Sequence, residues 1–368
     1  MLIQNAKAFI DGKFQEKTDL LIRDGRISAI GTGLAAEGEE LLDLGGDLLL
    51  PGFVDVHIHA FKGMDTMQGE EAVRHMSREL KKVGVAAFLP TTMSASPEDT
   101  VRALAGVKAV MERPEPDGAI VLGAHMEAPF LAEAKAGAQL KQYFADPNEE
   151  NWQRYTGGLE SVVRLITMAP ERAGAMEFIS ALTKKGITVS IGHTTADAET
   201  THAAAEAGAT HVTHTFNAQT PLNHRAPGVP GAALVDDRLQ CEVISDGIHL
   251  HPDVVKLIIR TKGKEKLVAI TDAMEAAGMP DGQYQLGGQE VFVHEGAARL
   301  KDGTLAGSTL TMVRAFQNLM RFGATPEEAA LMTTKTPALS IGNEELGEIE
   351  LGAPAIFSRF DENYAFKG

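Results

Sequence analysis

From about residue 49 to residue 340 the chain repeats one rhythm, a short apolar run of strand character followed by a longer amphipathic stretch of helical period. Eight strand candidates follow in order: Gly52 to His59, Val85 to Thr91, Ile120 to Glu127, Val162 to Met168, Ile187 to Gly192, Thr210 to His214, Gln240 to Ser245 and Leu267 to Asp272. Helical patterns fill the gaps, among them Glu70 to Lys82, Glu98 to Met111, Arg172 to Lys184, Ala196 to Ala207, Pro252 to Thr261 and Ser308 to Arg321. Several open on Ser, Thr, Asp or Pro and several close on Gly. Such alternation builds an α/β fold with a parallel sheet under helices. Eight repeats over roughly 290 residues fit a closed (β/α)8 TIM-like barrel, whose usual size is about 250 residues or more. A doubly wound open sheet would carry a Gly-rich phosphate turn after its first strand, and none follows here.

The ends have another texture. Residues 1–48 read as short strands broken by Asp11-Gly12 and Asp24-Gly25, a strong hairpin signal. Residues 341–368 return to the same pattern. The two segments are expected to form one small β-sandwich domain, leaving residues 49–340 as the barrel.

Charge and cysteine use exclude several classes. A formal net charge of -16 argues against nucleic acid or an anionic membrane as partner, since phosphate backbones require clustered Lys and Arg. A small anionic substrate needs only one or two local cations. Cys241 is the only cysteine, so no intrachain disulfide forms. With no basic leader and no apolar run near the roughly 20 residues of a membrane span, a cytoplasmic protein is expected.

In a barrel of this kind chemistry sits at the C-terminal ends of the strands. His57 and His59 end the first candidate, Glu127 the third, His214 the sixth and Asp272 the eighth, while His193 and His249 lie just past the fifth and seventh. Seven ionisable groups thus converge on one rim, which is costly unless they have a task. On a strand His57 and His59 share a face with Asp55, so the pair can close on one ion. Glu127, His193 and His214 form a three-ligand set that leaves a position open for water, as catalytic rather than structural zinc requires. Bound metal lowers the pKa of such a water toward about 7, and Asp272 is placed to accept and return a proton. His125 shares parity with Glu127 and is expected to orient it, while His211 should face outward. His75, His202 and His294 read as structural or solvated, and His224 and His251 stay open beside motif residues. Cys241 lies within a strand and has no partner for nucleophilic chemistry.

The motifs His125-Met-Glu-Ala-Pro-Phe130, Thr167-Met-Ala-Pro-Glu171, Gly192-His193-Thr194, His211-Val-Thr-His-Thr-Phe-Asn-Ala218, Arg225-Ala-Pro-Gly228, Ser245-Asp-Gly-Ile-His-Leu-His-Pro252, Ile270-Thr-Asp-Ala-Met274 and Leu305-Ala-Gly-Ser308 resemble, in this order, the deacetylases of N-acetylated amino sugar 6-phosphates within the amidohydrolase superfamily. The resemblance runs from about Met1 to Asn343. It implies hydrolysis of the acetamide of N-acetyl-D-glucosamine 6-phosphate, with the galactosamine epimer or a cyclic amide as alternative substrates. It also implies Glu127, His193 and His214 as metal ligands and Asp272 as acid/base. Substrate contacts are then expected from Ala138, Gln139, Asn217, Ala218, His249, Leu305, Ala306 and Gly307. Arg225 would bind the phosphate at the neighbouring site of a homodimer, a role its planar fork suits. Cyclic-amide hydrolases of the superfamily carry a modified lysine on the fourth strand, and Val162 to Glu171 has none. Retention of His57 and His59 implies capacity for one or two divalent ions, zinc first, with iron, cobalt or manganese accepted by the same ligands. Gln139 stands where such enzymes usually carry a histidine thought to polarise the substrate carbonyl, and its amide cannot carry charge.

Overall fold

A computed structural model describes residues 1–35 and 38–368. Its centre is the (β/α)8 barrel. The strands are Phe53–Ile58, Val85–Thr92, a third in two pieces (Ile120–Val121 and Ala124–Met126), Val163–Met168, Thr188–Ile191, His211–Val212, Gln240–Ile244 and Leu267–Ile270. Each pairs in parallel with the next in sequence. The ring closes where Ile58 bridges Ala273, and there His59 N donates to Ala273 O at 3.0 Å and Asp272 N to His57 O at 2.8 Å. Closure is therefore made at the rim, by residues of the polar cluster or their neighbours.

Strands covered on both faces read as continuous apolar runs, and every residue of Phe53–Ile58 and Val85–Thr92 is buried. The helices pack outside by their apolar stripes. Glu70–Lys81 buries Ala72, Val73, Met76 and Leu80, spaced at three and four, and Pro97–Glu112 starts on Ser96, whose hydroxyl accepts from Asp99 N. The third strand is interrupted at Gly123, where φ is 149° and a Cβ would lie 2.3 Å from the Arg164 side chain. Only glycine allows the chain to turn there and continue toward Glu127.

The terminal segments build the small β-domain around a six-stranded mixed sheet, whose five N-terminal strands end with Leu48–Pro51 and whose sixth, Phe357–Phe360, pairs antiparallel to it. Its core of Ile3, Ala8, Leu20, Ile27, Leu49 and Ile349 is separate from that of the barrel. The insert carrying His294 is a three-stranded antiparallel sheet, Gly282–Leu286, Gln289–His294 and Ala297–Arg299. It packs Leu286, Val291 and Ala298 with Met93 and Met274, and so lies against the rim.

Candidate metal centre and active-site cleft

Four imidazoles and two carboxylates meet at the C-terminal rim. His57 lies in the first strand and His59 just beyond it, Glu127 follows the third, and His193, His214 and Asp272 each stand two residues past the end of a strand. These last three have positive φ, 46°, 29° and 50°, which a side-chain-bearing residue holds only when the surrounding structure enforces it. The turn out of each strand is bent to aim a functional group inward.

Glu127 stands at the middle of the cluster. Its Oε1 is 3.1 Å from His193 Nε2 and 3.0 Å from His214 Nε2, and its Oε2 is 3.1 Å from His59 Nε2. His57 Nε2 lies 3.6 Å from Glu127 Oε1. Two donor sets result, His57/His59/Glu127 and Glu127/His193/His214, each with its ligand atoms within 4.8 Å of one another. Asp272 adjoins the first set, with Oδ1 3.2 Å from His59 Nε2 and 3.5 Å from His57 Nε2.

The far side of three rings fixes their chemistry. His193 Nδ1 lies 2.7 Å from the Lys135 carbonyl, His59 Nδ1 3.3 Å from the Thr91 carbonyl, and His57 Nδ1 3.1 Å from Glu242 Oε2. Carbonyl and carboxylate oxygens only accept, so each Nδ1 carries the hydrogen and each Nε2 lone pair faces the shared centre. His57 Nε2 has no hydrogen-bond partner although the residue is fully buried. His193 and His214 bring their Nε2 atoms within 3.1 Å of each other. Crowded, inward-facing nitrogen and carboxylate donors of this kind fit one or two divalent cations of borderline softness.

The rings around the two carboxylates favour their ionised forms. Burial alone would push Glu127 up, but His57 and the close polar contacts with His193, His214 and His59 hold it well below the usual carboxylate range. Burial opposes ionisation of Asp272 as well, and His57 and His59 outweigh it, so its pKa is lowered. Both carboxylates are ionised at neutral pH.

A cleft of about 300 Å³ opens above these groups, lined by His59, Glu127, His193, His214 and Asp272 together with Ala138, Gln139, Asn217, Ala218, His249, Leu305 and Gly307. His249 is held there by Asp246, whose Oδ2 is 2.7 Å from its Nδ1. One of the expected contact residues lies elsewhere. Ala306 is buried in the apolar cluster between the insert and Met274, its neighbours alone reaching the cleft. Arg225 sits at the exposed tip between Asn223 and Ala226 and does not line the cleft of its own chain.

Some neighbouring expectations change. The carboxylate of Asp55 stays out of both donor sets, accepting from Thr271 Oγ1 at 2.5 Å and tying the first strand to the eighth, and burial pushes its pKa up to about 6. His125 does not orient Glu127: its Nε2 lies 2.8 Å from Thr167 Oγ1 and its ring packs edge-on to His57 at 4.5 Å. Glu127 lies past the end of the strand, so parity no longer applies, and Gln139 Nε2 donates to its Oε2 at 2.5 Å instead. His211 is buried and its pKa falls to about 4 through loss of solvent. His75 and His202 bond to the Lys62 carbonyl and to Asp236, and His294 is exposed. His224 and His251 both lie outside the cleft, the latter capping the helix Pro252–Lys262. Sequence reasoning missed Glu242. The signal was available, a charged residue in the middle of the apolar run Gln240–Ile244.

Donors gathered at the rim of a (β/α)8 barrel, beside an ionised carboxylate and under an open cleft, define the class of hydrolases that work with bound divalent ions. The chain belongs to the amidohydrolase family, whose model matches residues 48–366. It is 37% identical over 370 residues to an N-acetylglucosamine-6-phosphate deacetylase of Lysinibacillus sphaericus, covering 99% of this chain and 94% of that protein. An N-acetylgalactosamine-6-phosphate deacetylase of Escherichia coli O157:H7 is 36% identical over 343 residues, 91% of this chain and 88% of the relative. Among solved structures, a mutant N-acetyl-D-glucosamine-6-phosphate deacetylase from Mycobacterium smegmatis in complex with N-acetyl-D-glucosamine 6-phosphate superposes with a TM-score of 0.90 at 30% identity, over 100% of this chain and 96% of that one.

Proposed function

We propose that this protein is a metal-dependent deacetylase that hydrolyses the acetamide of N-acetyl-D-glucosamine 6-phosphate to acetate and glucosamine 6-phosphate, in amino-sugar catabolism in the cytoplasm. The observation that carries the reading is the placing of Asp272 beside the His57/His59/Glu127 donor set, which shares Glu127 with the second set, at the edge of a cleft. The side chains of Glu127, His193 and His214 would hold one ion, and those of His57 and His59, with Glu127, a second. Zinc is the first candidate, with iron, cobalt and manganese suited to the same donors. Bound metal supplies Lewis acidity and a nucleophile at neutral pH.

The chain's own groups do the rest. Asp272, ionised and buried at the edge of the cleft, takes the proton of the attacking water and passes it to the leaving nitrogen. Gln139 places one amide N–H on Glu127 Oε2, accepts from Ser94 N at 2.7 Å, and turns toward Met93 Sδ at 3.6 Å, so it positions Glu127 rather than polarising a carbonyl. Asn217, Ala218, His249, Leu305 and Gly307 enclose the sugar.

The phosphate requires a cation. Lys135 is the one Lys or Arg lining the cleft among the described residues, whereas Arg225 is exposed on a projecting turn. A homodimer in which Arg225 reaches the neighbouring site supplies the missing charge. Similarity to the galactosamine enzyme makes the epimer the proper competitor in an assay. Acetate release by metal-restored enzyme is expected to be fastest with N-acetylglucosamine 6-phosphate, slower with its galacto epimer and far slower with the unphosphorylated sugar. No acetate from any of the three, with ring opening of a cyclic amide instead, would replace this reading.

A further inference from the structure

His57 differs from the other rings in what stands behind it. His59 and His193 rest on neutral main-chain carbonyls, but His57 Nδ1 rests on the carboxylate of Glu242, 3.1 Å away. Glu242 is 0% exposed in the middle of the seventh strand. Among the described residues no Lys or Arg pairs with it, its Oε2 also receives His214 N at 3.4 Å, and its Oε1 has no partner. A buried carboxylate with so few bonds is costly, and breaking even with apolar packing requires a positive charge nearby. An ion bound to His57 would supply it. The fully buried, unpartnered Nε2 of His57 faces the gap between Glu127 and Asp272.

We infer that Glu242 is the positioning residue of the His57/His59/Glu127 set, fixing the His57 tautomer and lending it the charge that makes this second set able to hold an ion. The inference rests on the two-ion reading above. Glu242 touches no substrate and no cleft surface, so it acts through His57 alone. Its contact with the other set is one long bond to a main-chain N–H, which a glutamine at the same position also accepts. Loss of the negative charge is therefore selective: it weakens the set built on His57 and spares the one built on His193 and His214.

The test compares wild type with Glu242→Gln and Glu242→Asp. Apoprotein is titrated with Zn²⁺ or Co²⁺ against a competing chelator, and retained metal is counted by mass spectrometry. Wild type is expected to hold two ions and E242Q one, the second binding about 10–100-fold more weakly. E242D keeps the charge and recovers part of the difference. Two ions held by E242Q with unchanged affinities would overturn the role of Glu242 while leaving the two-ion reading intact. A single ion in wild type would overturn the two-ion reading and this inference with it. Should E242Q fail to fold, long-range ¹H–¹⁵N spectra of zinc-loaded wild type still decide: the inference requires His57 protonated at Nδ1 and liganded at Nε2, and the reverse assignment refutes it.

Discussion

Asp272 is the proposed acid/base, and its surroundings make its substitution informative. It is held by ring contacts at 3.2 and 3.5 Å and by the closure bond from its own N–H to His57 O. An amide in its place keeps that backbone bond and the volume of the side chain but can accept no proton. D272N is expected to retain fold and metal while kcat falls roughly 10²–10⁴-fold, measured by acetate release alongside metal content; near-normal turnover would remove Asp272 from the role. Which single residues the sequence revealed follows from geometry. His57, His59, Glu127, His193, His214 and Asp272 were legible because each sits at a strand end, a position that apolar runs mark well. His125 was misjudged because alternation was carried past the end of a strand. Glu242 was overlooked because its task is to serve another side chain, and nothing in a single chain of letters states which ring it backs.

At the scale of elements, all eight barrel strands were readable from periodicity, since burial on both faces leaves an unbroken apolar signature, and six of the surrounding helices were read as well, whereas Glu149–Thr156 and Gly228–Val235 were not. What the rhythm does not encode is the irregular turn after each strand, where His193, His214 and Asp272 take left-handed backbone. Gly192 shows why one of these turns works. A Cβ there would stand 2.6 Å from Thr213 Cβ and 2.7 Å from Thr167 Cγ2, both side chains being buried. G192A forces the fifth and sixth strands apart next to two of the donors, and should cost about 1–3 kcal/mol in denaturant unfolding and lower the affinity of the Glu127/His193/His214 set. An unchanged midpoint with full metal content would mean the turn relaxes freely. Another element-scale effect belongs to the helix Glu70–Lys81, pinned to the first rim loop by Glu79. Hydrogen bonds from Lys62, at 2.8 Å, and Lys82 lower the Glu79 pKa to about 2. Because the folded value lies below the unfolded value of about 4.3, its contribution is complete above that pH and lost as pH falls toward 2. E79Q should therefore lower Tm at pH 7, by the equivalent of about 1 kcal/mol or less, and the gap from wild type should narrow below pH 4. A gap independent of pH would assign the loss to packing rather than charge.

For the molecule as a whole, the net charge of -16 and the scarcity of cations around the cleft pose one problem for the proposed function, how an acidic protein would receive a doubly anionic sugar phosphate. The position of Arg225, exposed on its turn and absent from its own cleft, fits the proposed two-fold symmetry, in which each subunit would lend its arginine to the other. R225A should raise KM steeply for the phosphorylated sugar and little for the unphosphorylated one, but that result does not say whose site the arginine serves. Mixing does. An R225A subunit keeps Asp272, and a D272N subunit keeps Arg225, so a dimer of one with the other contains one site with both groups if the arginine crosses and one site with both groups lost. If the arginine acts within its own chain, each of the two sites lacks one group. Random exchange makes half of the dimers mixed, so recovery to about a quarter of wild-type activity is expected from two nearly inactive parents. No recovery after verified subunit exchange would place the phosphate contact in a single chain and leave the cleft to find its cation elsewhere.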